Sequence, residues 1–164
     1  MPEMTILGWF HTVLGVGAVV SGFYTIYKHR VISLEEDSGR LYVFLTLLVA
    51  GSALGIYNQG GFGIAHILAV LTLIALTGGV VMEKVKLFGS LSKYFQALGY
   101  TSTLLFHMIP AVTDFLRRLP VGDTFVDSLE DPLLINFQLA FLLIYFVGIT
   151  IQMLWLRKHD GKKL

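Results

Sequence analysis

The sequence predicts an all-α protein, a polytopic bundle of about five transmembrane helices, and three observations predict it. Apolar residues make up 55% of the 164 and charged residues only 14%, with a mean hydropathy of +0.73. A soluble domain carries about a quarter charged residues, so the charge here is too scarce to coat a globule. The charge is also clumped, with short charged patches separating apolar runs of near-bilayer length. Backbone polar groups in lipid must be satisfied internally, which leaves helices or a closed barrel. The runs are too long and too uniformly apolar for the alternating strands of a barrel.

Windows of about 20 residues place spans at 4–27, 41–58, 61–82, 95–116 and 132–156 within one domain, 1–164. The first run follows Met-Pro-Glu-Met, has no basic leader and continues too long for a cleaved signal. It is expected to be a retained helix. Spans two and three are joined by Asn58-Gln59-Gly60-Gly61, a tight turn that makes them an antiparallel hairpin. Loop one carries Lys28, Arg30 and Arg40, loop three Lys84, Lys86 and Lys93, and the tail Arg157, Lys158, Lys162 and Lys163. By the positive-inside rule those segments are cytoplasmic and the N-terminus faces out. Loop four, 117–131, is discordant in holding Arg117 and Arg118, but Asp114, Asp123, Asp127, Glu130 and Asp131 outnumber them. It reads as a solvated linker, as does Glu35-Glu36-Asp37. Trp9, Tyr27, Tyr42, Tyr57, Tyr94 and Trp155 fall near the interfaces, as an aromatic belt does. The expected location is a bacterial-type inner membrane or a plasma membrane, with the lipid bilayer as partner.

Two faces are not built for lipid. In span one Gly8, His11, Gly15, Ala18, Gly22, Thr25 and His29 share one helical face of small residues and histidines. Small residues let a second membrane helix approach closely, and Gly51 and Gly55 of span two offer an opposing surface. In span four Gln96, Tyr100, Thr103, His107, Pro110, Asp114 and Arg117 form a continuous polar stripe. Intramembrane ionisable groups are costly, so the stripe must face the bundle interior. Pro110 frees the carbonyl of Phe106 beside His107. Gln138, Tyr145 and Gln152, at intervals of seven, give span five a weaker polar face.

At a rise of about 1.5 Å per residue, His11, His66 and His107 share the outer half of the bundle. Three readings follow: a haem b held by His11 and His66, a divalent metal held by His11, His66 and His107, or histidines that are simply hydrogen-bonded with no cofactor at all. In the haem reading Gly8 and Gly15 make room for a flat macrocycle. This pattern, histidines projecting from glycine-rich membrane helices, resembles the small membrane cytochromes b, including the cytochrome b561 group and the haem-anchoring subunits of quinone-linked dehydrogenases. The resemblance rests on His11, His66, Gly8 and Gly15 and covers the first three helices. It implies a bis-imidazole haem. His29 lacks a partner at the other membrane face, so one haem is the expected number.

The leading expectation is a membrane redox protein or redox-complex subunit. In it the span-four stripe forms a quinone pocket or proton path, with His107 and Asp114 handling protons. Tyr100, Thr103, Gln138 and Arg117 would line the substrate region. The alternatives are a proton or small-solute transport module lined by Gln96–Arg117, and a non-catalytic accessory subunit docked in a larger membrane complex or homo-oligomer. Nucleic-acid binding is excluded by the lack of a basic stripe. Thiol chemistry is excluded by the absence of Cys. Gly60-Gly61-Phe62-Gly63 lacks the strand and Lys context of a phosphate loop.

Overall fold

The computed structural model describes residues 5–57 and 61–159. Residues 58–60 of the turn expected at 58–61 and the tail lysines 162 and 163 lie outside them. The described residues form five α-helices and no strand: α1 (Ile6–His29), α2 (Asp37–Ala53), α3 (Ile64–Lys84), α4 (Ser92–Arg118) and α5 (Pro132–Lys158), with a short 3-10 turn at Gly89–Leu91 before α4. Three of them, α1, α3 and α5, are long and apolar enough to cross a membrane. The 17 residues of α2 extend only about 26 Å, and the polar stripe of α4 dilutes its hydropathy.

Helix boundaries follow local chemistry more closely than hydropathy. Thr5 caps α1 by accepting the Gly8 amide at 3.1 Å, and Asp131 caps α5 by accepting the Leu133 amide at 2.8 Å, with Pro132 at the first helical position. The second helix begins at Asp37 and stops at Ala53, four residues before the expected start and five before the expected end. Asp37, Ser38 and Gly39 are tolerated in a first turn, and the apolar Leu54-Gly55-Ile56-Tyr57 continues the hydropathy after the helix has ended.

Helix α4 is the hub, packed on α3, α5 and α1, while α1 pairs with α2 and α2 with α3. Close approach to α4 depends on glycine. A Cβ on Gly99 would stand 2.7 Å from the Ala75 carbonyl and 3.0 Å from the Gly79 amide nitrogen, and one on Gly79 would stand 2.7 Å from the Tyr100 ring. The central core joins Ile32, Tyr42, Leu76, Tyr100 and Leu104. Loop four is more than a linker: Val126, 3% exposed, packs with Val112, Leu116 and Leu134, and its amide donates to the Leu116 carbonyl at 3.2 Å. One end of the bundle carries loop four and the other carries loop one.

Candidate functional site

The glycine-histidine face of α1 is inward as expected, with Gly8, Ala18, Gly22 and Thr25 buried. Its glycines differ in use. A Cβ on Gly22 would meet the Tyr42 ring at 2.7 Å, whereas Gly15 has open space around it. The α4 stripe divides. Tyr100, Thr103 and His107 are buried. Pro110 and Asp114 are exposed, a correction to the continuous buried stripe, because beyond His107 the covered face of α4 is the apolar one, with Val112 and Leu116 packed on Val126 and Leu134. Asp114 pairs with Arg118 at 3.6 Å. Arg117 keeps a buried Nε without a hydrogen-bond partner.

The three histidines separate into a pair and a single. His11 Nδ1 lies 3.1 Å from the Val49 carbonyl and 3.1 Å from Ser52 Oγ, and Ser52 itself donates to Val49 at 2.9 Å. A carbonyl only accepts, so Nδ1 carries the proton and Nε2 keeps its lone pair. His11 is within Coulombic reach of Asp114 and His107. His107 Nε2 lies 3.1 Å from Thr46 Oγ1, and its ring meets the Tyr42 ring edge-on with centroids 6.4 Å apart.

His66 is a different object. It closes the first turn of α3, where its Nδ1 accepts the Gly63 amide at 3.1 Å, and it packs against Tyr57 and Phe62 with centroids 4.7 and 5.0 Å away. A neutral imidazole that accepts at Nδ1 carries its proton at Nε2. That Nε2 is buried and unpartnered. It presents an N–H where an axial ligand needs a lone pair, so His11 and His66 as placed do not fit a bis-imidazole haem. Among the described residues no three His, Asp or Glu side chains are grouped to hold a metal ion, so the trio of His11, His66 and His107 is not assembled as a ligand set.

What the fold does assemble is a polar column between α2 and α4. Beside His107 and Thr46, one turn back along α2, stands the fully buried Tyr42, whose hydroxyl lies 2.6 Å from Thr103 Oγ1 and 3.4 Å from the Tyr100 carbonyl. Thr103 in turn donates to the Tyr100 carbonyl at 2.7 Å. A second group begins on the same residue. The Tyr100 phenol donates to Glu83 Oε2 at 2.8 Å, and Glu83 Oε1 accepts the Ser33 hydroxyl and the Leu34 amide, both at 2.7 Å. The two groups therefore run from His107, in the middle of the bundle, to loop one, with a break at the Tyr100 ring. Tyr100 and Thr103 belong to it. Gln138 does not, since it bonds Thr113 at 3.3 Å, and neither does Arg117.

Glu83 is the residue that sequence reasoning passed over. It fell just beyond the expected end of span three, among lysines, and its partners lie 50 and 17 positions away. A lone acid within a turn of an apolar span was the available signal. The polar face of α5 is real but serves adhesion: Gln138 meets Thr113, Tyr145 meets Ser102 at 2.8 Å, and Gln152 accepts from Thr101 at 2.8 Å.

No protein-family model matches this chain, and no curated protein and no solved structure matches it.

Proposed function

We propose that this is a five-pass integral membrane protein whose interior moves protons between its two faces, with the loop-one end cytoplasmic. The single observation that carries the reading is a buried row of exchangeable groups in the middle of the bundle, His107 bonded to Thr46 and Tyr42 bonded to Thr103, with Thr46 and Tyr42 one turn apart on α2. Each member has an exchangeable proton, and the row begins at an imidazole, the side chain best suited to take and release one. From Gln96 to Asp114, α4 rises about 27 Å, close to the thickness of a hydrocarbon core of about 30 Å.

The mechanism has two stages. Asp114, exposed at the loop-four end, collects protons and presents them to the His11 and His107 pair. His107 exchanges with Thr46, and the proton is handed through Tyr42 to Thr103. The second stage is Tyr100 to Glu83, which opens toward loop one. A carbonyl cannot relay a proton, so the Thr103 bond to the Tyr100 backbone ends the first stage. Passage to the second requires the Tyr100 ring to move, which makes that ring the gate. Haem and quinone chemistry are not needed for this reading, and no step runs through them.

The test is proton flux into proteoliposomes under an imposed pH gradient, read with an enclosed pH dye. Wild-type protein is expected to exceed empty liposomes, and His107→Ala and Asp114→Asn to lose most of the excess. Flux unchanged by either substitution overturns the reading.

A further inference from the structure

Helices α1 and α5 each pack on α4 rather than on each other, and a groove of about 190 Å³ is left between them. Its floor is Leu105 and Met108 of α4, one wall is Phe23 and Ile26 of α1, and the other is Ile144 and Gly148 of α5. We propose that this groove holds one acyl chain of an anionic phospholipid whose headgroup lies at the loop-one end. The proposal rests on the membrane reading above and not on proton movement.

The lining asks for hydrocarbon. Its polar side chains are already spent: Thr101 donates to Gln152 Oε1 at 2.8 Å, Tyr145 is bonded to Ser102 at 2.8 Å, and Gln152 Nε2 donates to the Arg30 carbonyl at 2.9 Å. An apolar cavity of about 150 Å³ stays dry and takes up hydrocarbon as large as benzene, so water is a poor occupant. From Phe141 to Gln152 the groove follows α5 for about 16 Å. That is roughly half of a hydrocarbon core of about 30 Å, the depth of one leaflet. The volume spread along that length makes a slot too slim for a helix, which is about 10 Å across. A single chain fits it. Helix α1 enters the lining only in its loop-one half, at Phe23 and Ile26, so the leaflet is the one at the loop-one end.

Charge at that end selects the headgroup. The described residues there carry Lys28, Arg30, Arg40, Lys84, Lys86, Lys93, Arg157 and Lys158 against Glu35, Glu36, Asp37 and Glu83. Whatever pairs these form, four positive charges are left over. Three of the cations belong to the groove's own walls. The bond from Gln152 puts Arg30, the C-cap residue of α1, at the groove's end, and the last turn of α5 adds Arg157 and Lys158. Long basic side chains at helix ends keep their stems in lipid and bring their charge to phosphate. A zwitterionic headgroup neutralises none of that excess, and an anionic one does.

Two substitutions isolate the chain and the charge. A Cβ on Gly148 meets nothing, so Gly148→Leu fills the groove without displacing a neighbour. Arg30 is held at a φ of 70°, which glycine adopts freely, so Arg30→Gly removes the guanidinium while suiting the backbone. Gly51, equally open and exposed on α2, gives the control Gly51→Leu. The detergent-purified protein is titrated with palmitoyl lysophosphatidylglycerol, palmitoyl lysophosphatidylcholine and glycerol phosphate, and native mass spectrometry counts the adducts. One lysophosphatidylglycerol per protein is expected. Gly148→Leu should raise its half-saturating concentration about tenfold or more and Arg30→Gly about fivefold, with Gly51→Leu as wild type. Gly148→Ala, a smaller filling, should fall between and serves if the leucine variant does not fold. Equal binding of lysophosphatidylcholine, full binding of glycerol phosphate alone, or wild-type affinity in the Gly148 variants overturns the proposal. So does a protein dimer that Gly148→Leu dissociates, which gives the groove to a second copy. Protein that stays in water without detergent contradicts the membrane reading itself, whereas the other failures leave that reading standing.

Discussion

Helix α4 is bonded to α2 on one side through hydroxyls, a phenol and an imidazole, and to α5 on the other through hydroxyls, a phenol and two carboxamides. On the α5 side the bonds are three separate pairs, Gln138 with Thr113, Tyr145 with Ser102 and Gln152 with Thr101, spaced two helical turns apart along α5. Each pair satisfies itself or a nearby carbonyl, as when Gln152 Nε2 donates to Arg30 at 2.9 Å. On the α2 side His107 is bonded to Thr46 and Tyr42 to Thr103, and the two pairs sit one turn apart on both helices. The difference lies in continuity and in titration. Isolated pairs hold two helices together and go no further, whereas a run that starts on an imidazole has somewhere to send a proton. Polar residues in an apolar span are therefore no evidence of function until their partners are known.

That contrast can be broken or sharpened by substitution. The largest effect belongs to the packing beneath both seams. Gly99→Ala forces a Cβ onto the backbone of Ala75 and Gly79, where no flexible side chain can yield. A loss of about 3 kcal/mol, the upper range for overpacking, is expected by unfolding in mixed micelles. Next is His107→Ala, expected to cut proteoliposome flux about tenfold, roughly the lower range for a positioned acid–base group. Gln152→Leu, on the adhesive seam, strips a partner from Thr101 and from the Arg30 carbonyl. It should cost about 1–2 kcal/mol, at the high end for bonds between membrane helices, with flux per folded protein unchanged. The smallest effect is Gln138→Leu, which removes one long bond of 3.3 Å at a half-buried position. It should cost about 0.5 kcal/mol or less by the same unfolding assay.

Much of the architecture was legible because hydropathy and helical period report solvent directly. The five helices, the inward face of α1 and the burial of Tyr100, Thr103 and His107 all follow from where polar groups cannot be left in lipid. Pairing was not legible. His11 and His66 sit at similar depth by rise per residue, yet His66 is claimed by the Gly63 amide at the start of its own helix, and its protonated nitrogen changes what it can do. That is a local capping event, invisible to a depth argument. Tyr42 read as part of an interfacial belt and is instead fully buried, because α2 begins four residues earlier than hydropathy places it and carries Tyr42 inward against the glycine at position 22. Glu83 was hidden because its partners are supplied by loop one and α4, which no periodicity connects.

The two tyrosines on either side of α4 give the most direct test of the central claim, since removing one phenolic oxygen leaves the ring packing in place. Proton flux should be measured in proteoliposomes for Tyr42→Phe and Tyr145→Phe at matched protein content. The account predicts that Tyr42→Phe falls to the level of empty liposomes while Tyr145→Phe conducts like wild type. Equal flux from the two variants, or wild-type flux no greater than that of empty liposomes, would contradict it.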